Sequence, residues 1–509
     1  MNTFKAYDET DPASIEHYGK KLIGKTFFEV CEHDEQTFPI AMRGNGSDYA
    51  SKYENKSRKG GLGNLIEERH FHYKCNNDSE PDFYKAGVEL KVTPYKKNRN
   101  GSISAKERLI ITMIDYCAVI NETFEESHLW KKSKLILLIY YLYQKEIADR
   151  LHYRIDYVTL FTPPPQDLKI IKHDFEVIIE KIRAGKAHEL SESDTLYLGA
   201  ATKAATSMDA TKQPCSKEPA KPRAFSFKNS YMTYVLNNYI AANKVTYEPI
   251  LQDGQADSLE KYVRDKINNY KGYSIEELCN KFNIIYENKP KSLEAMLAYR
   301  ILGIKGNHAE EFIKANIVVK AIRVNNNNTI KEHMSFPTFK FKELVEENWE
   351  GSLFETYLSE TRFFFVIYKF DENQVLRLKG CQFWNIPYKN LQTEVRNVWE
   401  KTKEVLKNGL QVTRVKGKNY SNFPKSTENA ICHVRPHAQN AKDTDELPCK
   451  STILNGDISA LQHSKECQFI AKTAHSLHEE QLDEWHYSKQ CFWLNNTYIL
   501  SQLDKDFLK

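Results

Sequence analysis

Three features are scarce or missing in this 509-residue sequence, and each absence narrows the range of functions. Its ten cysteines form no C-x-x-C pair, so neither paired zinc ligands nor a disulfide framework is indicated. The opening residues, MNTFKAYDETDP, lack the apolar stretch of a secretory signal, and the apolar run at 135–143 is too short to span a membrane. The net charge is only +4, which gives no overall basic character. We therefore expect a soluble, cytoplasmic protein with reduced thiols, in which any nucleic-acid contact is local.

The sequence does contain one series of similar segments that occurs twice in the same order. DFYKAGVELK at 82–91 returns as EFIKANIVVK at 311–320, and AFSFKNSYM at 224–232 returns as CFWLNNTYI at 491–499. Between these segments each copy has a short apolar strand pattern and an amphipathic helical pattern that ends at a glycine. Matches in the same order and at similar spacing indicate a tandem repeat.

The repeat predicts two domains with one topology, over residues 1–245 and 246–509. Strands alternate with helices in each copy, so the predicted fold class is α/β, with a mixed sheet flanked by helices. The length and an aromatic content of 12% provide enough apolar surface for two cores.

The segment PDFYKAGVELKVTP, residues 81–94, places three charged groups beside an apolar run. Alternation from Val88 onwards predicts a strand with one face buried and the other carrying Glu89 and Lys91, with Asp82 just upstream. A surface ion pair on an amphipathic strand explains this equally well from spacing alone. The functional alternative is phosphodiester cleavage, because two carboxylates can hold a hard divalent cation and a neighbouring lysine can orient the attacking water.

Comparison of the two copies favours the functional alternative. Positions that carry the fold persist, whereas three charged positions of the first copy are lost in the second: Glu89 becomes Val318, Glu67 becomes Ala298, and Lys132 becomes Glu360. A purely structural role would not predict this selectivity. One active and one inactive copy would.

Several of these stretches carry a resemblance to a known family. KGGLGNLIE followed by PDFYKAGVELKVTP resembles the core of MutH, the GATC-specific nicking enzyme of mismatch repair. The chain is still more similar to the Sau-type restriction endonucleases that cut GATC, because KERLIITMIDY, GKAHELSESDTLYLGAATKAA, RAFSFKNSYMT and ICHVRPHAQN match that group as well. The resemblance spans nearly the whole chain.

The resemblance implies a PD-(D/E)-x-K nuclease fold with Mg²⁺ as its cofactor. It implies that Asp82, Glu89 and the additional acidic residue Glu67 are metal ligands, and that Lys91 and Lys132 act with them in catalysis, although a register shift by one would substitute Lys131 for Lys132. The implied base-reading loop is YLGAATKAA. Five residues are candidates for DNA contacts: Lys203, Arg223, Lys228, Arg435 and His437.

The function that follows is a type II (type IIE) restriction endonuclease that cuts both strands at GATC and leaves 5′-phosphates. Its catalytically dead C-terminal copy would bind a second site. The implied partners are double-stranded DNA with two GATC sites, a cognate DNA methyltransferase in the cell, and a second chain in a transient dimer on DNA. Two alternatives remain open, a MutH-like strand-nicking repair endonuclease and a non-enzymatic DNA-binding protein.

A zinc site formed by His70, His72 and Cys75 is a less favoured alternative. No second ligand pair lies nearby at zinc-finger spacing, and the segment follows the helix that carries Glu67.

Overall fold

The structure of the chain is a computed structural model. It describes residues 6–37, 61–73, 80–98, 100–203, 209–241, 246–251, 258–285, 290, 292–415, 418–440, 443–455 and 485–509. Within these ranges no helix combines the length and the apolar character that crossing a bilayer requires.

Seven strands of the first half form two sheets. The strands are β1 (Glu89–Lys97), β2 (Ile103–Ala105), β3 (Leu109–Met113), β4 (Ile136–Leu142), β5 (Ile155–Phe161), β6 (Leu198–Thr202) and β7 (Arg223–Phe227). One sheet has the order β2-β1-β4-β5, in which β1 and β4 are parallel and the other neighbours antiparallel. The other sheet, β3-β7-β6, is antiparallel throughout.

The helices of the first half precede, separate and follow these strands. They are α1 (Pro12–Gly19), α2 (Phe27–Thr37), α3 (Gly61–Leu65), α4 (Tyr116–Val119), α5 (His128–Ser133), α6 (Pro165–Arg183) and α7 (Asn229–Val235). α3 continues into a π-helical turn at Ile66–His70. α6 begins with a proline in its first turn and buries one apolar stripe, and the chain leaves it through Gly185 at a positive φ of 71°.

The described residues of the second half form eleven further strands. They are β8 (Ile317–Val324), β9 (Met334–Thr338), β10 (Arg362–Phe370), β11 (Leu376–Trp384), β12 (Gln411–Val415), β13 (Lys418–Ser421), β14 (Cys432–Pro436), β15 (Thr444–Glu446), β16 (Thr452–Asn455), β17 (His486–Ser488) and β18 (Gln490–Leu494). Its helices are α8 (Leu259–Asn268), α9 (Ile275–Lys281), α10 (Leu293–Ile301), α11 (Glu310–Lys314), α12 (Phe341–Glu346), α13 (Leu353–Glu360), α14 (Tyr388–Asn390), α15 (Arg396–Asn408) and α16 (Asn496–Gln502).

The sheets of the second half repeat the strand order of the first. The sheet β11-β10-β8 corresponds to β5-β4-β1, and the antiparallel sheet β9-β18-β14 corresponds to β3-β7-β6. A helix follows β18 as α7 follows β7, and α13 precedes β10 as α5 precedes β4. The predicted α/β tandem is confirmed.

Contacts divide the chain into two compact units. The first comprises 1–262 and 303–317, and the second comprises 263–302 and 318–509. These borders differ from those of the sequence repeats, because a segment of the second repeat, 303–317, is part of the first unit. The domain limits at 1–245 and 246–509 remain a prediction from the repeats.

Each unit has its own apolar core. One core of the first unit packs the inner face of β4, with Leu137 and Ile139, against Leu65 and Phe71 from the α3 region. The core of the second unit is built around β10 and α15 and is rich in aromatic side chains. The core of the first unit holds the starts of β1 and β4 in place, where the charged residues of the first copy lie.

Candidate active site

A tight turn places Asp82 beside the start of β1. Phe83 and Val88 exchange backbone hydrogen bonds at 2.9 and 3.3 Å, and Gly87 closes the turn at a positive φ of 66°. Such a φ is readily adopted by glycine and disfavoured for residues with a Cβ atom. The chain therefore folds back on itself, and the backbone N–H of Leu90 donates to Asp82 Oδ2 at 2.8 Å.

Glu89, the first residue of β1, is almost fully enclosed. Its side chain is only 2% exposed, and Lys91 Nζ donates to its Oε1 at 2.7 Å. The sequence predicted a half-buried strand with Glu89 on the face opposite the buried one. In the structure, Glu89 and its neighbour Leu90, which point to opposite faces, are both buried. The physical reason is that both faces are covered at the start of β1: Leu90 packs in the apolar core on one face, and Lys91 and Lys132 lie against Glu89 on the other.

Lys132 reaches the same carboxylate from a different element. β1 and β4 are parallel with Glu89 opposite Ile136, and α5 ends only a few residues before β4 begins. Lys132 Nζ consequently lies 3.5 Å from Glu89 Oε2, with its side chain 13% exposed. The neighbouring Lys131 instead pairs with the exposed Glu80 at 3.2 Å. The structure thus brings Lys132, and not Lys131, to Glu89.

The carboxyl group of Asp82 has a strongly perturbed acidity. Burial is the main cause that raises its pKa to about 7, and the nearby charge of Glu89 adds to it. The carboxylate of Glu67 raises the pKa further, while the Leu90 N–H and Lys91 oppose the shift. Perturbed acids of this kind concentrate at functional sites.

The residues present fit a hard divalent cation. Glu89 Oε2 is buried and accepts no hydrogen bond, so it is an oxygen ligand that lacks a strong partner, and Asp82 supplies a second carboxylate beside it. Oxygen donors are what Mg²⁺ binds. Across the described ranges, however, no three His, Cys, Asp or Glu side chains converge closely enough to hold a metal ion. Glu67 acts on Asp82 through its charge but does not complete a three-carboxylate cluster.

Two of the five predicted DNA contacts are interior residues. Arg223 is 4% exposed and donates from Nη1 to Ala200 O at 2.6 Å, and Lys228 is 2% exposed and donates from Nζ to Thr195 O. Both tie β7 to the chain around β6. Both cations are engaged inside the protein in this structure, and their assignment as DNA contacts stays a prediction.

The other three candidates lie at or near the surface. Lys203 is exposed and directly follows β6, where its backbone N–H donates to Pro222 O at 2.7 Å. In the second unit, Arg435 is part-buried, with its guanidinium 5.2 Å from the ring centre of Trp493. His437 is exposed, and its ring lies 5.6 Å from the same tryptophan ring.

The corresponding positions of the second copy are arranged differently. Val318 replaces Glu89, and burial lowers the pKa of Lys320. Glu311, which aligns with Asp82, accepts backbone hydrogen bonds at 2.8 Å from the N–H groups of Ile250 and Leu251. Its carboxylate therefore holds a chain segment, and no carboxylate pair like Asp82 and Glu89 is present at these positions.

The alternative zinc ligands do not form a cluster in the described residues. His70 is buried, its ring stacks on Tyr18 at 4.4 Å between centres, and Nε2 lies 3.1 Å from Tyr18 O. Burial lowers the pKa of His70 to about 4, which keeps the ring neutral. Cys75 lies outside the described residues.

Sequence reasoning missed two buried acids on α6. Asp174 accepts the backbone N–H groups of Leu196, Tyr197 and Leu198, and so fixes the start of β6. Asp167 is also buried. They are seven residues apart, on the same face as the apolar stripe of the helix. That spacing indicates two buried acids with internal hydrogen-bond or ion-pair partners, because an acid within an apolar stripe is buried and needs such a partner.

Comparisons relate the chain to two groups of proteins. A family model described as "DNA mismatch repair enzyme MutH" matches residues 71–174, a range that contains Asp82, Glu89, Lys91 and Lys132. The type II restriction enzyme Sau3AI of Staphylococcus aureus is 37% identical over 481 residues, which cover 88% of this chain and 93% of that enzyme. The DNA mismatch repair protein MutH of Vibrio campbellii is 27% identical, covering 45% of this chain and 95% of that protein. The MutH of Shewanella baltica is 28% identical, covering 36% and 80%.

Proposed function

Because the chain belongs to the family of type II restriction endonucleases that includes Sau3AI, we propose that it cuts both strands of DNA at GATC, leaving 5′-phosphates, in a Mg²⁺-dependent reaction. Family membership makes it a site-specific deoxyribonuclease that acts on double-stranded DNA. The observation that carries the finer proposal is the buried Glu89 carboxylate between two lysines, with Asp82 beside it.

Asp82 and Glu89 would hold the metal ion, with Glu67 as a further acid nearby. When bound, the ion would polarise the scissile phosphate and lower the pKa of an attacking water. Lys91 already donates to Glu89 Oε1, so its ammonium is fixed at the same end of β1, where it can orient that water. Lys132 provides a second cation near Oε2 and can offset the negative charge that grows on the phosphate oxygens during attack.

The second copy, in this proposal, binds a further GATC site without cutting it. Its sheets keep the order of the first copy, while Val318, Ala298 and Glu360 occupy the positions of Glu89, Glu67 and Lys132. Arg435 and His437 are its candidate DNA contacts, as Lys203 is for the first copy. With one active copy per chain, cutting both strands requires a transient dimer on DNA or two successive events.

A MutH-like nicking enzyme remains the alternative function, since the MutH family model matches the segment that carries the site. Against it stands the second copy, which a nicking enzyme does not need. A restriction enzyme also implies a cognate DNA methyltransferase that protects the cell's own GATC sites, and so a cytoplasmic place of action.

Plasmid cleavage in Mg²⁺ alone separates the possible functions. We expect supercoiled DNA with GATC sites to become linear or fragmented. A product that stays a nicked circle would favour the nicking enzyme, and unchanged DNA would favour a binding protein. Glu89→Ala should cut below about one hundredth of the wild-type rate, since metal-ligand losses are this large or larger. Glu80→Ala, at an exposed acid, is the matched control and should cut normally.

Binding can be measured apart from cutting by replacing Mg²⁺ with Ca²⁺. Ca²⁺ accepts the same oxygen ligands in looser geometry and activates water less well, so GATC duplexes should bind without turnover. Rapid cutting in Ca²⁺ would contradict the assignment of Asp82 and Glu89 as the metal ligands.

The role of the second copy needs substrates with one and with two GATC sites. Two linked sites raise the effective concentration, so the two-site plasmid should be engaged better. If the second site also activates the first, a short GATC duplex added in solution should speed cutting of the one-site plasmid. Equal rates on both plasmids, without stimulation, would reduce the second copy to a scaffold.

A further inference from the structure

A fully buried ion pair inside the first unit joins a lysine from the second repeat to a helix of the first. Lys314 Nζ lies 2.6 Å from Asp167 Oδ1, and both side chains are only 1% exposed. Glu310 Oε1 accepts from the same ammonium at 2.7 Å. The hydroxyl of Tyr231 donates to Asp167 Oδ2 at 3.2 Å. Both charges are therefore compensated, as burial requires.

Two tyrosine rings surround the same ammonium. Lys314 Nζ lies 4.4 Å from the ring centre of Tyr234 and 5.8 Å from that of Tyr197, within the range of cation–π attraction. Ser230 Oγ donates to Lys314 O at 2.8 Å. Ser230 and Tyr234 belong to α7, which follows β7, and Tyr197 directly precedes β6. One side chain thus contacts the elements that hold two strands of the sheet β3-β7-β6.

Stability alone does not explain this arrangement. Replacing a buried ion pair with apolar residues of similar size is often neutral or stabilising. The first copy shows that the repeat does not need a buried lysine here, because Lys85, at the aligned position, is 43% exposed and pairs with the part-exposed Glu9. The burial of Lys314 is therefore particular to the second repeat, whose segment 303–317 belongs to the first unit.

We propose that Lys314 is a positioning residue for DNA recognition, which fixes Tyr197 at one end of β6 and thereby sets the position of Lys203 at the other end. The strand between them has five residues. Asp174 already holds the backbone N–H of Tyr197 at 2.6 Å, and Lys314 holds its ring. This proposal rests on the proposed function, in which the segment at Lys203 reads the DNA sequence.

The test uses the full-length chain in Ca²⁺ and measures affinity for a GATC duplex and for a duplex with one base changed. Lys314→Met removes the cation but keeps the length of the side chain. Lys314→Met combined with Asp167→Asn removes both charges of the fully buried pair and leaves only Glu310, whose side chain is 19% exposed, without the lysine. The double variant therefore relieves the buried unpaired carboxylate of Asp167 without restoring the contact with the rings. Lys85→Met is the matched control at the exposed, repeat-equivalent position.

We expect the single variant to have a lower melting temperature and at least a tenfold smaller preference for GATC over the changed duplex. The double variant should regain most of the melting temperature but keep at least a fivefold reduced preference. kcat at saturating DNA in Mg²⁺ should stay within about threefold of wild type in both, because the Glu89 site is untouched, and Lys85→Met should match wild type throughout.

Two results would overturn the proposal in different ways. A single variant with wild-type preference, or a double variant in which preference recovers together with stability, would make Lys314 a purely structural residue and leave the proposed function intact. A wild-type protein with no preference for GATC would overturn the proposed function, and this inference with it.

Discussion

The two oxygens of Glu89 have different surroundings, and this asymmetry defines the site at the residue scale. Oε1 is bonded to Lys91, whereas Oε2 is buried and accepts no hydrogen bond. Lys132 Nζ lies 3.5 Å from Oε2, and a buried carboxylate oxygen that accepts no hydrogen bond destabilises the folded state. A cation bound there would be a ligand of the folded state alone and would stabilise it by mass action. If the proposed metal site is correct, the metal-free protein is therefore the less stable form.

Asp82 should make the metal-free protein less stable as the pH rises. Its pKa in the folded state is about 7, above the ordinary value of 3.8, so between these pH values the folded state holds a proton that the unfolded state has lost. By linkage, the contribution of Asp82 to the free energy of unfolding is fully present below pH 4 and is lost as the pH rises through about 7. In Asp82→Asn the decline should be weaker. Urea unfolding in EDTA at pH 5 and pH 8 measures this loss of stability in the wild type and in Asp82→Asn. An equal loss in both proteins would contradict the raised pKa of Asp82.

Lys132 and Lys131 offer a matched pair of substitutions. Lys132→Ala should lower kcat by about a hundredfold or more, because it removes a cation close to Glu89 Oε2 in a water-poor site. Lys131→Ala should stay near wild type, since that lysine pairs with an exposed acid at the surface. Single-turnover cleavage measures both. Equal losses in the two variants would show that the contact with Glu89 does not decide the rate.

At the scale of elements, the turn before β1 is the part that both copies preserve. Gly87 has φ 66°, and the aligned Asn316 before β8 has φ 53°. Asparagine is one of the few residues with a Cβ atom that tolerates this left-handed conformation. The backbone of the turn has thus been kept in the second copy, although the carboxylate that follows it has been lost.

Gly87→Ala should be destabilised by about 1 kcal/mol, the usual penalty for a left-handed alanine. A Cβ atom there would meet nothing within 4 Å, so the strain is conformational and not steric crowding. Because the turn sets Asp82 against Glu89, Mg²⁺ affinity should fall as well. Gly87→Asn, which introduces the residue found in the second repeat, should recover most of the stability and most of the Mg²⁺ affinity. Thermal unfolding and Mg²⁺ titration of cleavage provide the measurements, and equal loss in the two variants would refute the argument.

Local sequence patterns predicted much of the fold but not which charged side chains are buried. The helix ending before Gly185, the strand at Glu89 and the tandem topology follow from periodicity and internal repetition. Exposure depends on which elements pack over each face of a strand, and Glu89 is buried because Lys132, from the helix before β4, lies against it. The same limit applies to Arg223 and Lys228, which the family resemblance offered as DNA contacts and which are buried. The pairing of Lys314 with Asp167 joins residues 147 positions apart, beyond any local pattern.

At the scale of the whole molecule, the repeats and the compact units do not coincide. The first unit is completed by residues 303–317, which the sequence assigns to the second copy. These residues supply Lys314 to a buried acid of α6. Cutting the chain between the repeats would therefore remove part of the first unit.

A fragment that ends at residue 262 should be less stable than one that ends at residue 317. The shorter fragment loses the Lys314–Asp167 ion pair and the packing of 303–317, and breaking a buried pair of this kind costs about 3–5 kcal/mol when the other charge stays buried. Lys314→Met in the longer fragment should reproduce most of the difference, since it removes the same charge. Thermal and urea unfolding of the three fragments measure this effect. Equal stability of the two wild-type fragments would show that 303–317 is dispensable for the first unit.

The discontinuous first unit also constrains the order in which a growing polypeptide can mature. While a ribosome is still adding residues 263–302, the nascent chain contains every candidate catalytic residue but not the segment that completes their unit. At about 5–20 residues per second, this interval lasts roughly several seconds. Truncated translation products that stop within it would carry the nuclease residues in an unfinished fold. For a cell that makes an enzyme against DNA, interrupted synthesis would then release the candidate catalytic residues in a unit that lacks its last segment.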